Sequence, residues 1–171
     1  MGQGRRSCED RYEAIATALG KRTGFKVLDI GGHSGYFSAR LADQFKASAL
    51  VVDGNPELDA SLAAQAQPKV TGLNRHIDLA ELKGLGQFGV GLCLSVLHHV
   101  DWWEGMLAAL HKQCRTLFVE LAVPAETPHE AHAERLGRTI VKVEALGGKL
   151  IHRSPSFDGD QLRPMYVIKK K

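Results

Sequence analysis

Residues 27–38 read V-L-D-I-G-G-H-S-G-Y-F-S. An apolar run, Val27-Leu28-Asp29-Ile30, enters a glycine turn, Gly31-Gly32-His33-Ser34-Gly35. The chain leaves that turn as a helical pattern, with Tyr36, Phe37, Ala39, Leu41 and Ala42 on apolar spacing. A buried strand, a glycine turn and a helix make half of a nucleotide-binding βαβ unit.

The flanking sequence repeats that theme. Upstream, Ser7-x-x-Asp10 reads as a capping box, followed by Tyr12, Ile15, Ala16 and Leu19 at helical spacing and Gly20 as a stop. Downstream, strands are expected at 25–30, 48–53, within 69–77, at 88–95 and at 115–121. Helices alternate with them. One spans 35–45. One is capped by Asn55 with Pro56 at its first position and has Leu58, Leu62 and Ala63 as its stripe. A short one spans 79–85. Another is capped by Asp101-x-x-Glu104 with Trp102, Met106, Leu107 and Leu110 facing inward. The last is long, opened by Thr127-Pro128-x-Glu130 and stopped by Gly147-Gly148. A final strand pair, 149–152 and 165–168, is joined by a turn around 158–160, so one of the two runs antiparallel at the edge. Uniformly apolar strands alternating with helices predict an α/β fold, with a mostly parallel sheet covered on both faces.

The chain has 171 residues, enough for one domain with a sizeable core. We read 1–171 as a single domain in which 1–24 form an N-terminal helical extension. Composition is that of a soluble globular protein, 44% hydrophobic and 24% charged. The net charge of +3 is mildly basic, weak evidence for a nucleic-acid partner. Arg5-Arg6 and Lys169-Lys170-Lys171 read as solvated ends. Three scattered cysteines, Cys8, Cys93 and Cys114, without a C-x-x-C pair, speak against a disulfide framework or a zinc site and fit a reducing, cytoplasmic setting. No apolar run approaches the roughly 18 residues of a membrane span. The N-terminus shows no signal-peptide pattern, and Arg6 occupies the position where myristoylation needs Ser or Thr.

A parallel open sheet binds its ligand at the C-terminal ends of its strands. The notable polar residues gather there: Asp29 and the glycines after strand one, Asp53 after strand two, Asp78 after strand three, 95–99 after strand four and Glu120 after strand five. Gly31, Gly32 and Gly35 do not have the G-x-G-x-x-G spacing of a dinucleotide turn. A carboxylate at Asp29 would repel a pyrophosphate and suit an ammonium group. Asp53, 22 residues after Gly31, suits both hydroxyls of a ribose. Asp78 suits an adenine amino group, with Ile77 against the ring. Amine, ribose and adenine together describe S-adenosylmethionine.

At this point the sequence resembles the class I, Rossmann-like S-adenosylmethionine-dependent methyltransferases over about residues 26–121. The opening stretch resembles their first motif, D-x-G-x-G-x-G. V-V-D-G-N-P resembles the second, H-I-D-L the third, and L-S-V-L-H-H-V the stretch after strand four. The resemblance implies a three-layer α/β/α sandwich around a seven-stranded sheet in the order 3-2-1-4-5-7-6, with strand seven antiparallel. It also implies cofactor roles for Asp29, Gly31 and Gly35 at the methionine end, Asp53 at the ribose and Asp78 at the adenine. Gly32, His33, Gly54, Ile77 and Ser95 complete the expected cofactor-binding set. One departure stands out: His33 replaces the family's middle glycine, either as a solvent-facing turn residue or leaning over methionine or substrate.

Methyl transfer from a sulfonium is an in-line displacement in which the protein mainly positions the reactants. A hydroxyl acceptor additionally needs a base. His98, His99 and Glu120 are the candidate catalytic residues, Glu120 as a substrate contact. Asp101 is explained by helix capping. Of Trp102 and Trp103, one faces the core and the other could lie over the acceptor, and core packing is expected of the first. The Asp/Asn/Ser-Pro-Pro-aromatic motif of base amino-methylating enzymes is absent after strand four. Cys93 lies inside a strand, so the Pro-Cys of cytosine C5 enzymes is absent too, as is the acid pair of aminopropyl transferases. The expectation is a methyltransferase whose acceptor, small molecule or RNA, and oligomeric state stay open. The segment Arg5-Arg6-Ser7-Cys8-Glu9-Asp10 is similar to the entry of methylphosphate-capping RNA methyltransferases, which makes an RNA 5′-phosphate or other RNA methyltransferase the first alternative. A non-catalytic S-adenosylmethionine-binding partner domain is the second.

Overall fold

A computed structural model describes residues 8–156 and 159–170. Ser7, Arg5-Arg6, Lys171 and Asp158, to which roles were assigned above, lie outside the described residues. Seven strands form one sheet: β1 (Lys26–Ile30), β2 (Ser48–Asp53), β3 (Val70–Asn74), β4 (Phe88–Leu94), β5 (Cys114–Glu120), β6 (Lys149–Pro155) and β7 (Leu162–Lys169). Their order is β3-β2-β1-β4-β5-β7-β6, and β7 runs antiparallel to both of its neighbours. The helices are α1 (Cys8–Leu19), α2 (Tyr36–Phe45), α3 (Leu58–Gln65), α4 (Leu79–Gly84), α5 (Trp103–Gln113) and α6 (Glu130–Ala145). Short 3-10 turns occupy Leu97–His99 and Pro124–Glu126. The expected fold class and strand order are those observed.

The central strands β1, β2, β4 and β5 are largely apolar because each feeds two layers, whereas β3 and β6 at the sheet edges are more polar and exposed. Val27, Val51, Val90, Leu92 and Phe118 pack toward α1 and α2 with Tyr12, Ile15 and Leu41. Their chain neighbours Leu28, Val52, Cys93, Leu117 and Val119 pack toward α5 and α6 with Trp103, Leu107, Leu110 and Val143. Side chains alternate across a strand, so a two-sided core needs apolar residues at successive positions. Asp29 is the exception on β1 and is buried, 2% exposed.

Three helix starts differ from expectation, for one physical reason. The short polar side chain takes a different partner before the helix begins. Asn55 Oδ1 accepts the Glu57 amide at 3.1 Å, so Pro56 lies in a turn and α3 starts at Leu58 with Ala63 exposed. Thr127 Oγ1 accepts the His129 amide at 3.3 Å, and α6 starts at Glu130. Asp101 pairs with Arg135 at 3.2 Å instead of capping α5. α5 begins at Trp103, which is the core residue, 5% exposed, while Trp102 precedes the helix and is only half-buried. That reverses the expectation for the pair. At the C-terminus Lys169 belongs to β7 opposite Thr116, and the Lys170 amide donates to the Arg115 carbonyl oxygen at 3.0 Å, so neither is simply a solvated end.

Candidate active site

Strand order reverses between β1 and β4, and a cleft of about 510 Å³ opens there at the C-terminal ends of β2, β1 and β4. That volume is ordinary for a small-molecule or cofactor site. Gly31, His33, Asp53, Gly54, Ile77, Ser95 and His99 line it, as the sequence led one to expect. Val100, Asp101 and Trp102, from a loop expected on the acceptor side, line it too, as do Ile30, Val52, Arg75, His76, Val96 and Met106, to which the sequence pointed no role at the site. The strand-end position of Ile30 and Val52 was a usable signal. The others depend on how the loops after β3 and β4 fold back.

The turn after β1 is set by backbone geometry. Gly31 has φ +69, and its amide donates to the Val52 carbonyl oxygen at 2.8 Å. A Cβ there would come within 2.3 Å of Val96 Cγ2, so the glycine serves both conformation and contact. His33 has φ +51, the left-handed region that favours glycine, so the backbone here suits the glycine of the resembled motif better than it suits histidine. Its side chain is exposed. Its amide donates to Asp53 Oδ2 at 2.7 Å, while Asp53 Oδ1 accepts the Asn55 amide at 2.8 Å. The Asp53 carboxylate thus sits on the cleft wall held by two backbone amides, with acceptor capacity left on both oxygens.

Asp29 does not line the cleft. It lies beneath the turn, where Ser38 Oγ donates to it at 2.8 Å and a Cβ on Gly32 would come within 2.7 Å of its carboxylate. Burial pushes its carboxyl up to about 7, the Ser38 hydrogen bond opposes that rise, and the charge of Asp53 adds to it. Gly32 and Gly35 shape the turn from behind. Asp78 also lies off the cleft wall: its Oδ1 accepts the Glu81 amide at 2.8 Å and its own amide donates to Glu81 Oε2 at 3.0 Å, a capping box for α4.

Glu120 is fully buried and makes no part of the cleft wall, contrary to the substrate contact expected of it. Arg11 Nη1 donates to its Oε2 at 3.1 Å, Ser95 Oγ to the same oxygen at 2.5 Å, and Ser154 Oγ to Oε1. The charge is neutralised by a guanidinium from α1, as a buried carboxylate requires. Arg11 itself lies over the Phe37 ring, 5.0 Å from its centroid.

His98 and His99 follow β4 with their ring centroids 3.9 Å apart. His99 lines the cleft and is exposed, while His98 is half-buried behind it. Burial lowers His98 to about 4, and the neighbouring charges of His99 and Arg163 push the same way. His99 is lowered too, by burial first and then by Arg163 and His132. Both imidazoles are therefore neutral near pH 7. Arg163 is forked onto Glu126, with Nε 2.9 Å from both carboxylate oxygens, and this fixes the loop before α6. Among the described residues no group of three His, Cys, Asp or Glu side chains could hold a metal ion, and no helix is long and apolar enough to cross a membrane.

No protein-family model matches the sequence, and no curated protein matches it either. Solved structures do. The bifunctional kinase-methyltransferase WbdD matches with a TM-score of 0.75 at 23% identity, over 96% of this chain and 40% of that one, so the chain spans about two fifths of WbdD. The N-methyltransferase NodS from Bradyrhizobium japonicum WM9, in complex with S-adenosyl-L-homocysteine, matches with a TM-score of 0.67 at 16% identity, over 95% of this chain and 87% of NodS. The magnesium protoporphyrin IX methyltransferase ChlM from Synechocystis PCC 6803, with bound S-adenosylmethionine, matches with a TM-score of 0.66 at 20% identity, over 95% and 79% of the two chains. At these identities the likeness is one of architecture: this chain has the Rossmann-like fold of the class I methyltransferases.

Proposed function

We propose that the protein is an S-adenosylmethionine-dependent methyltransferase. The observation that carries the reading is Asp53: a carboxylate on the cleft wall at the end of β2, held by two amides and able to accept two more hydrogen bonds. It suits the vicinal hydroxyls of a ribose. Around it the donor set fits the rest of the cofactor. Ile77 and Val52 give an apolar seat for adenine, and Gly54 beside them admits the His76 ring, which a Cβ there would meet at 2.4 Å. The turn 31–35 approaches the methionine end through backbone, with Asp29 buried beneath it and its carboxyl raised to about 7.

When bound, the cofactor supplies an electrophilic methyl group on a sulfonium. The protein's part is to hold the acceptor in line and exclude water from the approach. Neutral His99 on the wall is the residue suited to take a proton at a ring nitrogen from a hydroxyl or ammonium acceptor. The acceptor class remains a small molecule or RNA. Three free thiols suit a cytoplasmic setting.

Isothermal titration with S-adenosylmethionine tests the cofactor reading. The expected result is binding that Asp53→Ala removes, and absence of binding by the unaltered protein overturns it. Formation of S-adenosylhomocysteine in a mixed acceptor extract, lost in Asp53→Ala, tests the enzymatic part. Binding without turnover in any extract would favour a non-catalytic domain.

A further inference from the structure

The segment 95–102 supplies one side of the cleft through Ser95, Val96, His99, Val100, Asp101 and Trp102. It has little structure of its own. Its internal ties are the His99 amide to the Val96 carbonyl oxygen at 2.9 Å and the Val100 amide to Leu97 at 3.4 Å. The carbonyl groups it turns away from the cleft converge on one guanidinium. Arg135, in the second turn of α6, donates from Nη2 to the Val100 carbonyl oxygen and lies 3.4 Å and 3.5 Å from those of Leu97 and His98. Its Nη1 donates to Asp101 Oδ1 at 3.2 Å.

We infer that Arg135 is a positioning residue for the cleft: it holds the carbonyl side of 97–101 so that His99 and Trp102 present a fixed wall to the ligand. The planar fork makes this possible, because one guanidinium can reach several acceptors in fixed relation and an ammonium cannot. Two further observations favour a specific role over a generic helix-to-loop staple. The Asp101 partner is fully exposed, so the ion pair contributes little, and the partly buried contacts are those to carbonyl groups. The Arg135 Nε is buried without a partner among the described residues, so the side chain gives up one donor to keep its two Nη groups on the turn. Arg138, one turn along the same helix, shows the contrast: it pairs with Glu104 at the surface at 2.6 Å and touches no part of the wall.

The effect on cofactor rests on the reading proposed above, while the effect on the wall does not. Three variants are compared: Arg135→Gln, Arg135→Lys and Arg138→Ala. S-adenosylhomocysteine affinity is read by calorimetry. Wall order is read by the emission of Trp102 in a Trp103→Phe background, which leaves Trp102 as the sole tryptophan of the two. Arg135→Gln is expected to weaken S-adenosylhomocysteine about tenfold or more, since small misplacements of a binding wall are costly, and to shift Trp102 emission to the red. Arg135→Lys folds with its charge kept and shows a smaller loss. Arg138→Ala binds as the unaltered protein does. Unchanged affinity and unchanged Trp102 emission in both Arg135 variants, with only a lower Tm, overturn the inference. Absence of binding by the unaltered protein overturns the cofactor reading instead, and Trp102 emission then decides the wall by itself.

Discussion

Ser95 is tied twice to Glu120: its amide donates to the Glu120 carbonyl oxygen at 3.0 Å and its hydroxyl to the carboxylate at 2.5 Å. Ser95 stands at φ +62, in the left-handed region, where the chain leaves β4 and turns to make the cleft wall. The carboxylate below thus acts on the site through Ser95, and through Arg11 it joins that turn to α1. Truncation as Glu120→Ala leaves Arg11 buried without its counter-charge and is expected to cost about 3–5 kcal/mol. Urea unfolding measures it. A loss below about 1 kcal/mol would contradict the ion-pair account.

Asp53 is expected to be the most sensitive position for cofactor. Asp53→Ala removes acceptors for two ribose hydroxyls and also frees the His33 and Asn55 amides. Hydrogen bonds to a charged group contribute roughly 1.5–3 kcal/mol each. Calorimetry should therefore show S-adenosylhomocysteine weakened by at least ~10-fold. Asp53→Asn keeps one acceptor and should fall between. Equal affinities for all three proteins would remove Asp53 from the site.

His33 separates backbone from side chain. A non-glycine residue in the left-handed region costs roughly 1–2 kcal/mol. Relieving that strain in His33→Gly is partly offset by the added freedom of the unfolded chain, worth about 0.4–1 kcal/mol. The Asp53 contact is made by the amide and survives. Thermal unfolding of His33→Gly should be unchanged or slightly raised, with cofactor affinity kept. His33→Val, β-branched at positive φ, should lose both stability and affinity. A large loss of affinity in His33→Gly would instead assign the imidazole a direct role.

Asp29 gives a pH signature with a definite sign. Its folded carboxyl stands at about 7, above the ordinary value of 3.8, so between those limits the folded state holds more protons than the unfolded one. Stability from this group is present at low pH and is lost as pH rises toward 7. Asp29→Asn lacks that loss. The stability of the variant minus that of the unaltered protein should climb by about 1.4 kcal/mol per pH unit between pH 4 and 7, then level off. His98, lowered to about 4, acts oppositely: its neutral form is favoured in the fold, so its contribution is lost as pH falls from 6.5 toward 4. His98→Gln should flatten that slope. Parallel curves for Asp29→Asn and the unaltered protein would rule out a raised Asp29.

Much of the fold is legible because local rules and burial agree. Two-sided apolar strands such as 48–53, with helical spacing between them, dictate a covered parallel sheet, and β2 begins and ends where its sequence indicates. Helix starts were less legible. Asn55, Asp101 and Thr127 each carry a capping side chain, and each spends it elsewhere, on a nearby amide or on Arg135. A capping residue announces a competition for backbone partners, and its neighbours in space decide the winner.

The sequence by itself determined the glycine turn at 31–35, the acid at the end of β2 and the strand pattern that places both at one edge of a sheet. Those features depend on chain-local geometry: left-handed backbone at Gly31 and His33, and a period of two along each strand. Only the tertiary structure decided which acids face the cleft. Asp53 does, Asp29 lies under the turn, Asp78 caps α4, and Glu120 sits beneath Ser95 paired with Arg11, 109 residues away in sequence. A carboxylate's role is fixed by the donors that reach it: Ser38 of α2 for Asp29, the Glu81 amide of α4 for Asp78, and for Glu120 Arg11 of α1, Ser95 after β4 and Ser154 of β6, which meet only once the sheet has formed.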